Sequence, residues 1–234
     1  MLQSANLTKE RFEGKAQKRS IEETFANVVS AVGKGNILML TGPALEKHWE
    51  THKQNVAPRG RMVVVEWDKT VREDIEKQAK NIGDERIVVR DGDILDAMFE
   101  KPTSRKNGAW TYIDLDFCKT FPTIEKHSHL SEKLRRLTVS PMVGGRFCLS
   151  ITFSTRSDTN SEGARFLRET VARIFEAAGW QVVEQHVKGY HGGMITSLYR
   201  FYKPKSKPKQ GVLDGSIKRP NQTYFEVGPA CSEC

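Results

Sequence analysis

The chain has 234 residues, a formal net charge of +8, 38% hydrophobic residues and 28% charged residues. That is enough to build a sizeable core in one α/β domain. No apolar run approaches the ~20 residues a membrane-spanning helix needs, and the polar start lacks a secretion signal's apolar core. Four scattered cysteines do not make a disulfide scaffold, so a cytoplasmic setting is expected.

The first element is a helix over residues 8–33. Ser20 and Glu23 fit a capping box, Phe25, Val28, Val29 and Val32 recur at helical spacing, and Gly33 and Gly35 stop it. Asn36–Thr41 reads as a buried strand, followed by a helix over 44–56. Met62–Glu66 is a strand rich in β-branched residues. Lys69–Lys80 is a helix with Val71, Ile75 and Ala79 four apart. Arg86–Arg90 is a short strand, Ile94–Glu100 a short helix, and Trp110–Asp114 the fourth strand.

Residues 118–145 are mostly polar, with a helix expected over Ile124–Leu137. Arg146–Phe153 is the fifth strand. A second capping box spans Thr159 to Glu162, and Phe166, Leu167, Val171, Ile174, Phe175 and Ala178 then make one apolar helix face that Gly179 ends. The last strands, Gln181–Val187 and Thr196–Tyr202, are joined by too short a link for a parallel crossover, so they are antiparallel.

This order predicts an α/β fold: a seven-stranded, mainly parallel sheet with a C-terminal antiparallel hairpin and helices on both faces. Residues 1–19 read as an N-terminal helical extension, 20–203 as the domain, and 204–234 as a basic disordered tail. Residues 203–234 hold six Lys/Arg against three Asp/Glu, so +3 of the +8 sits there and +5 remains in the body. A basic body favours an anionic partner, with nucleic acid first. The Cys231-x-x-Cys234 pair reads as incidental, and no histidine has metal-ligand spacing, so no metal is expected.

In an open parallel sheet, ligands bind beyond the carboxyl ends of the strands. After the first strand, Thr41-Gly42-Pro43 lets the backbone approach a ligand closely. After the second, Glu66 can accept both hydroxyls of a ribose, Trp67 can cover an adenine face, and Asp68 can cap the next helix. After the third, Asp93-Ile94 offers a carboxylate to an adenine amine, with Asp93 preferred to Asp91. After the fourth, Asp114 and Asp116 end an apolar strand beside Phe117. Asp114 can accept from an attacking amine, and Phe117 can stack on a flat substrate.

These spacings resemble the class I S-adenosylmethionine-dependent methyltransferases over roughly residues 20–202. Ile37–Leu40 with Gly42 matches the first motif, Glu66 the ribose-binding acid, Gly92-Asp93-Ile94 the adenine-binding acid, and Asp114-Leu115-Asp116-Phe117 the fourth motif. In amino-methylating members that motif often reads Asp-Pro-Pro-aromatic. Asp114 and Phe117 match its ends, and both prolines are absent. The first loop also departs: Met39 stands near the usual acid, and Pro43-Ala44 follow Gly42.

The resemblance implies S-adenosylmethionine as cofactor, with Asp114 and the Leu115 carbonyl holding a target amine and Phe117 stacking on a base. The expected function is methyl transfer to an amino group of DNA or RNA, with phosphates held by Lys119, Lys126, Lys133, Arg135 and Arg136. The alternatives are a protein or small-molecule methyltransferase and a non-catalytic binding module. A nicotinamide-binding protein ranks lower, because its glycine fingerprint is absent.

Overall fold

The apolar, β-branched runs form one mixed sheet, and the amphipathic stretches between them pack on its two faces. The computed structural model describes residues 23–102, 108–155, 162–190, 193–204 and 223–224. The strands are β1 (Asn36–Met39), β2 (Met62–Val65), β3 (Ile87–Arg90), β4 (Trp110–Asp116), β5 (Val143–Ser154), β6 (Gln181–Tyr190), β7 (Met194–Tyr202) and β8 (Thr223–Tyr224). Their order across the sheet is β3-β2-β1-β4-β5-β7-β6-β8. Strands β1 to β5 are mutually parallel, and β7 runs antiparallel to both β5 and β6. The predicted α/β class, parallel sheet and terminal hairpin are therefore all present.

Helix α1 covers 23–30, followed by α2 (Leu45–His52), α3 (Lys69–Ile82), α4 (Ile94–Ala97), α5 (Phe121–Ser128) and α6 (Leu130–Thr138). The last helical stretch is α7 (Glu162–Arg165), a π-turn over Phe166–Thr170, and α8 (Val171–Ala177). Alternation along the strands divides the core in two. On one face Ile37, Met39, Val64 and Tyr112 meet Val29 of α1, Trp49 of α2 and Ile75 of α3. On the other, Leu38, Ile113, Leu149 and Phe201 meet residues of α4 to α8, including Leu134 and Phe175.

Three local predictions need correction. The single helix expected over 124–137 is two helices, because His129 sits in the left-handed region at φ 50° and ends α5 as it begins α6. The Glu125 carboxylate seals that break by accepting from the Ser131 amide at 2.9 Å. The helix after β5 carries a π-turn that periodicity does not reveal. Its displaced Leu167 and Arg168 carbonyls each accept from Gln185 Nε2 at 3.1 Å, and Leu167 also accepts from the Tyr199 hydroxyl. Within the segment read as a tail, Thr223–Tyr224 adds a parallel edge strand to β6. Residues 1–19, Ser20, Thr159 and the Cys231/Cys234 pair lie outside the described residues.

Candidate functional site

Strand order reverses between β1 and β4, which are neighbours although β2 and β3 lie between them in sequence. The carboxyl ends of β1, β2, β3 and β4 therefore converge on one crevice, the place where doubly wound sheets bind ligands. The structure brings Thr41, Gly42, Pro43, Glu66, Trp67, Asp93, Ile94, Asp114 and Asp116 to this end of the sheet.

After β1, Gly42 adopts φ 50°, and a Cβ there would meet nothing within 4 Å. The turn opens onto space. Ala44 stands at the N-cap of helix α2 and gives it no side-chain cap, unlike α3 and α4, which Asp68 and Asp93 cap. Its cap residue thus offers the first amides no acceptor of its own. Gln78 of α3 ties this turn down, donating to the Pro43 carbonyl at 3.0 Å and accepting from the Glu46 amide at 3.3 Å.

After β2, half-buried Glu66 accepts from the Asp68 amide through Oε1 at 2.9 Å, while Oε2 has no protein partner among the described residues. Trp67 beside it is 74% exposed, the posture of a ring with a face to offer. Arg72 was not anticipated from sequence. It donates to the Glu66 carbonyl at 3.1 Å and to Asp91 Oδ1 at 2.7 Å, clamping the β2 turn to the β3 turn. Asp91 is thereby engaged. Asp93 spends Oδ1 on the Leu95 amide at 2.8 Å and leaves its second oxygen on the exposed side, while Ile94 is buried.

Strand β4 carries the reaction candidates. Asp114 pairs with Met39 of β1 and Ser150 of β5, so it lies within the sheet, and Asp116 takes the strand end opposite Thr152. Both project on the face of Tyr112. There the Ser150 hydroxyl donates to Asp114 Oδ1, and Tyr112 Oη lies 2.9 Å from Ser150 Oγ. Ser150 is fully buried, and Tyr112 nearly so. Burial, and then the Asp114 charge, push the Tyr112 hydroxyl well above its ordinary range, so it stays protonated. Tyr112 and Ser150 were missed at the sequence level because a Tyr and a Ser inside strands read as sheet residues.

The remaining predicted residues divide. Leu115 sits in the β4–β5 ladder opposite Ile151 with a fully buried side chain, which commits its backbone to the sheet. Phe117 is a core residue, 9% exposed and stacked 6.0 Å from Phe153. It offers no platform to a base. Lys119 is exposed just past β4, and Lys126 is exposed on α5. Lys133 instead ties α6 to α4 through Asp96 at 2.6 Å.

Arg135 and Arg136 stand in the last turn of α6. That helix leads to Met142, whose carbonyl accepts from the amide of Trp110, the first residue of β4. The two arginines therefore face the amino edge of the sheet, away from the crevice.

No family model and no curated protein matches the sequence. Solved structures do match in fold. The N-methyltransferase NodS from Bradyrhizobium japonicum aligns over 80% of this chain and 97% of its own, with TM-score 0.55 and 15% identity. The M. jannaschii TYW2 structure in complex with AdoMet aligns over 82% of this chain and 77% of its own, with TM-score 0.50 and 10% identity. At such identities the likeness is one of fold.

Proposed function

We propose that the chain is an S-adenosylmethionine-dependent methyltransferase whose acceptor is an amine nitrogen. The observation that carries this reading is the set of carboxylates that β2, β3 and β4 bring to the switch-point crevice, Glu66 after β2, Asp93 after β3, and Asp114 and Asp116 on β4. The donor set fits the cofactor. Glu66 Oε2 is available for ribose hydroxyls, the outer oxygen of Asp93 for the adenine amine, and the Trp67 ring for the adenine face. The open Gly42 turn and the uncapped start of α2 suit the amino-acid end of the molecule. When bound, S-adenosylmethionine supplies an electrophilic methyl group on a positively charged sulfur.

The protein's part is alignment. Asp114, held by Ser150, and Asp116 at the strand end accept from the acceptor's N–H groups and aim the nitrogen lone pair at the methyl carbon. They also offset the positive charge the nitrogen gains, and the proton it then loses passes to solvent. Neither acid needs a raised pKa for this.

The crevice rim favours an amine on a small molecule or a protein, reacting as the neutral base, over a phosphate-rich acceptor. Glu66, Asp91, Asp93 and Asp116 stand there with Arg72, itself paired with Asp91, and Lys119. A nucleic-acid amino group is the second reading, favoured by the net charge of +8. Calorimetric titration of S-adenosylmethionine and S-adenosylhomocysteine, with NADH as control and Glu66→Ala as variant, tests the cofactor. Binding lost in Glu66→Ala supports the reading, and no binding to the wild type ends it. Transfer of labelled methyl to amine panels against RNA and DNA then separates the two acceptors.

A further inference from the structure

The amino edge of the sheet, opposite the crevice, gathers cations. Lys203 follows β7, and its amide donates to the Gly145 carbonyl at 2.8 Å, beside Arg146 of β5. Lys203 Nζ reaches the Thr138 carbonyl at 3.2 Å, at the end of α6 where Arg135 and Arg136 stand. Four cations from two strand ends and one helix end thus share one pole. Three of them sit over rings: Arg146 lies 5.4 Å from the centre of Tyr202, Arg136 4.7 Å from Phe99, and Lys203 5.1 Å from Trp180.

None of the four pairs with a carboxylate among the described residues. Elsewhere among these residues Arg72, Arg86, Arg90, Arg173 and Arg200 each have one, while Arg59, Arg61, Arg165 and Arg168 do not; what sets the pole apart is that its unpaired cations converge and three of them lie over rings. The helix dipole explains cations in the last turn of α6. It explains neither Arg146, on a strand, nor Lys203, beyond one. The next residues in sequence continue the charge with Lys205, Lys207 and Lys209.

We propose that this pole docks the phosphate backbone of a nucleic acid, at the end of the molecule away from the methyl-transfer crevice. Guanidinium forks match phosphate oxygens, and stacking over a ring fixes a fork in advance, so less side-chain entropy is lost on binding. An anionic membrane is the poorer fit. Among the described residues the exposed large apolar ones are Trp67, Val139 and Val183, set singly apart in the chain, which gives a bilayer nothing extended to take up. The docking does not depend on the chemistry of the crevice, and it turns the basic balance of the chain into a second surface.

The test uses the full chain and a fluorescein-labelled oligo(U) RNA, with affinity measured across a salt series. Replacing Arg135 and Arg146 together by alanine should weaken binding about tenfold or more at low salt. The slope of log K against log salt should fall by about 1.4, at ~0.7 per phosphate contact on a single strand. The matching double lysine variant should keep the slope, because the charge stays, and lose part of the affinity, because the fork goes, while Glu66→Ala should keep both. Unchanged affinity and slope in a folded alanine variant would overturn the proposal. So would a wild type that ignores RNA but binds phosphatidylserine vesicles.

Discussion

Acidification should destabilise the protein through one buried histidine. His52 ends α2, is 4% exposed, and has no hydrogen-bond partner for Nδ1. Its ring lies 5.2 Å from that of Tyr112, so a charge here would sit directly behind the Tyr112–Ser150–Asp114 chain. Burial, and then the neighbouring His48, lower its pKa from 6.5 to about 3. Above pH 6.5 the ring is neutral in both folded and unfolded states. Between 6.5 and about 3 only the unfolded chain takes the proton, so stability is lost as pH falls. The limiting slope is about 1.4 kcal/mol per pH unit, and the loss at about pH 5.5 is about 1.4 kcal/mol. Urea unfolding of wild type and His52→Leu at about pH 8 and pH 5.5 measures it, since leucine has similar volume and no ring nitrogen. The wild type should lose about 1.4 kcal/mol more than the variant between the two conditions. Equal losses would refute the assignment of a neutral, proton-excluding site.

Other outcomes follow from particular contacts. Ser150→Ala removes the donor to Asp114 and should slow methyl transfer roughly fivefold to tenfold, about 1 kcal/mol, with cofactor affinity unchanged by calorimetry. Phe175→Ala empties a ring stacked on Phe201 at 4.0 Å and packed against Phe147 and Trp180, which should cost ~3–5 kcal/mol in urea unfolding. Gln185→Leu strands the Arg168 carbonyl of the π-turn, while Leu167 keeps the Tyr199 hydroxyl, and should cost ~1–3 kcal/mol in the same assay. Gly83→Ala forces a side chain onto φ 70° at the end of α3 and should cost ~1 kcal/mol, read as a lower thermal midpoint.

Where one physical cause dominates, the sequence announces the structure. Met62–Val65 has no face to show water, and it becomes an interior strand between β1 and β3. The link between the last two strands permits only a hairpin, and β6 and β7 pair antiparallel. Asp68 and Asp93 cap α3 and α4 because a short acid before a helix finds amides in reach. What stayed hidden depends on partners far along the chain. The π-turn needs Gln185 and Tyr199, more than a dozen residues away. Phe117 was read as a platform because sequence shows a ring beside acids and not the Phe153 that covers it. Arg135 and Arg136 were read as facing the substrate, but α6 carries them back along the sheet to its other edge.

The two absent prolines explain why this crevice differs from the pattern it resembles. A proline has no amide to give a sheet, so prolines after Asp114 would end β4 there and leave that acid at the strand tip. Leu115 and Asp116 keep their amides. The ladder continues through Ile151 and Thr152, and the Phe117 amide still donates to the Thr152 carbonyl at 3.0 Å. The tip thus moves two residues, to Asp116. Asp114 falls back to the level of Met39, where Ser150 can reach it, and Phe117 is drawn down onto Phe153. The consequence is a division between the acids, one fixed inside the sheet by a buried hydroxyl and one at its rim. It also leaves no aromatic platform at the strand tip. Under the proposed reading, an acceptor there is held by charge and hydrogen bonds rather than by stacking on Phe117.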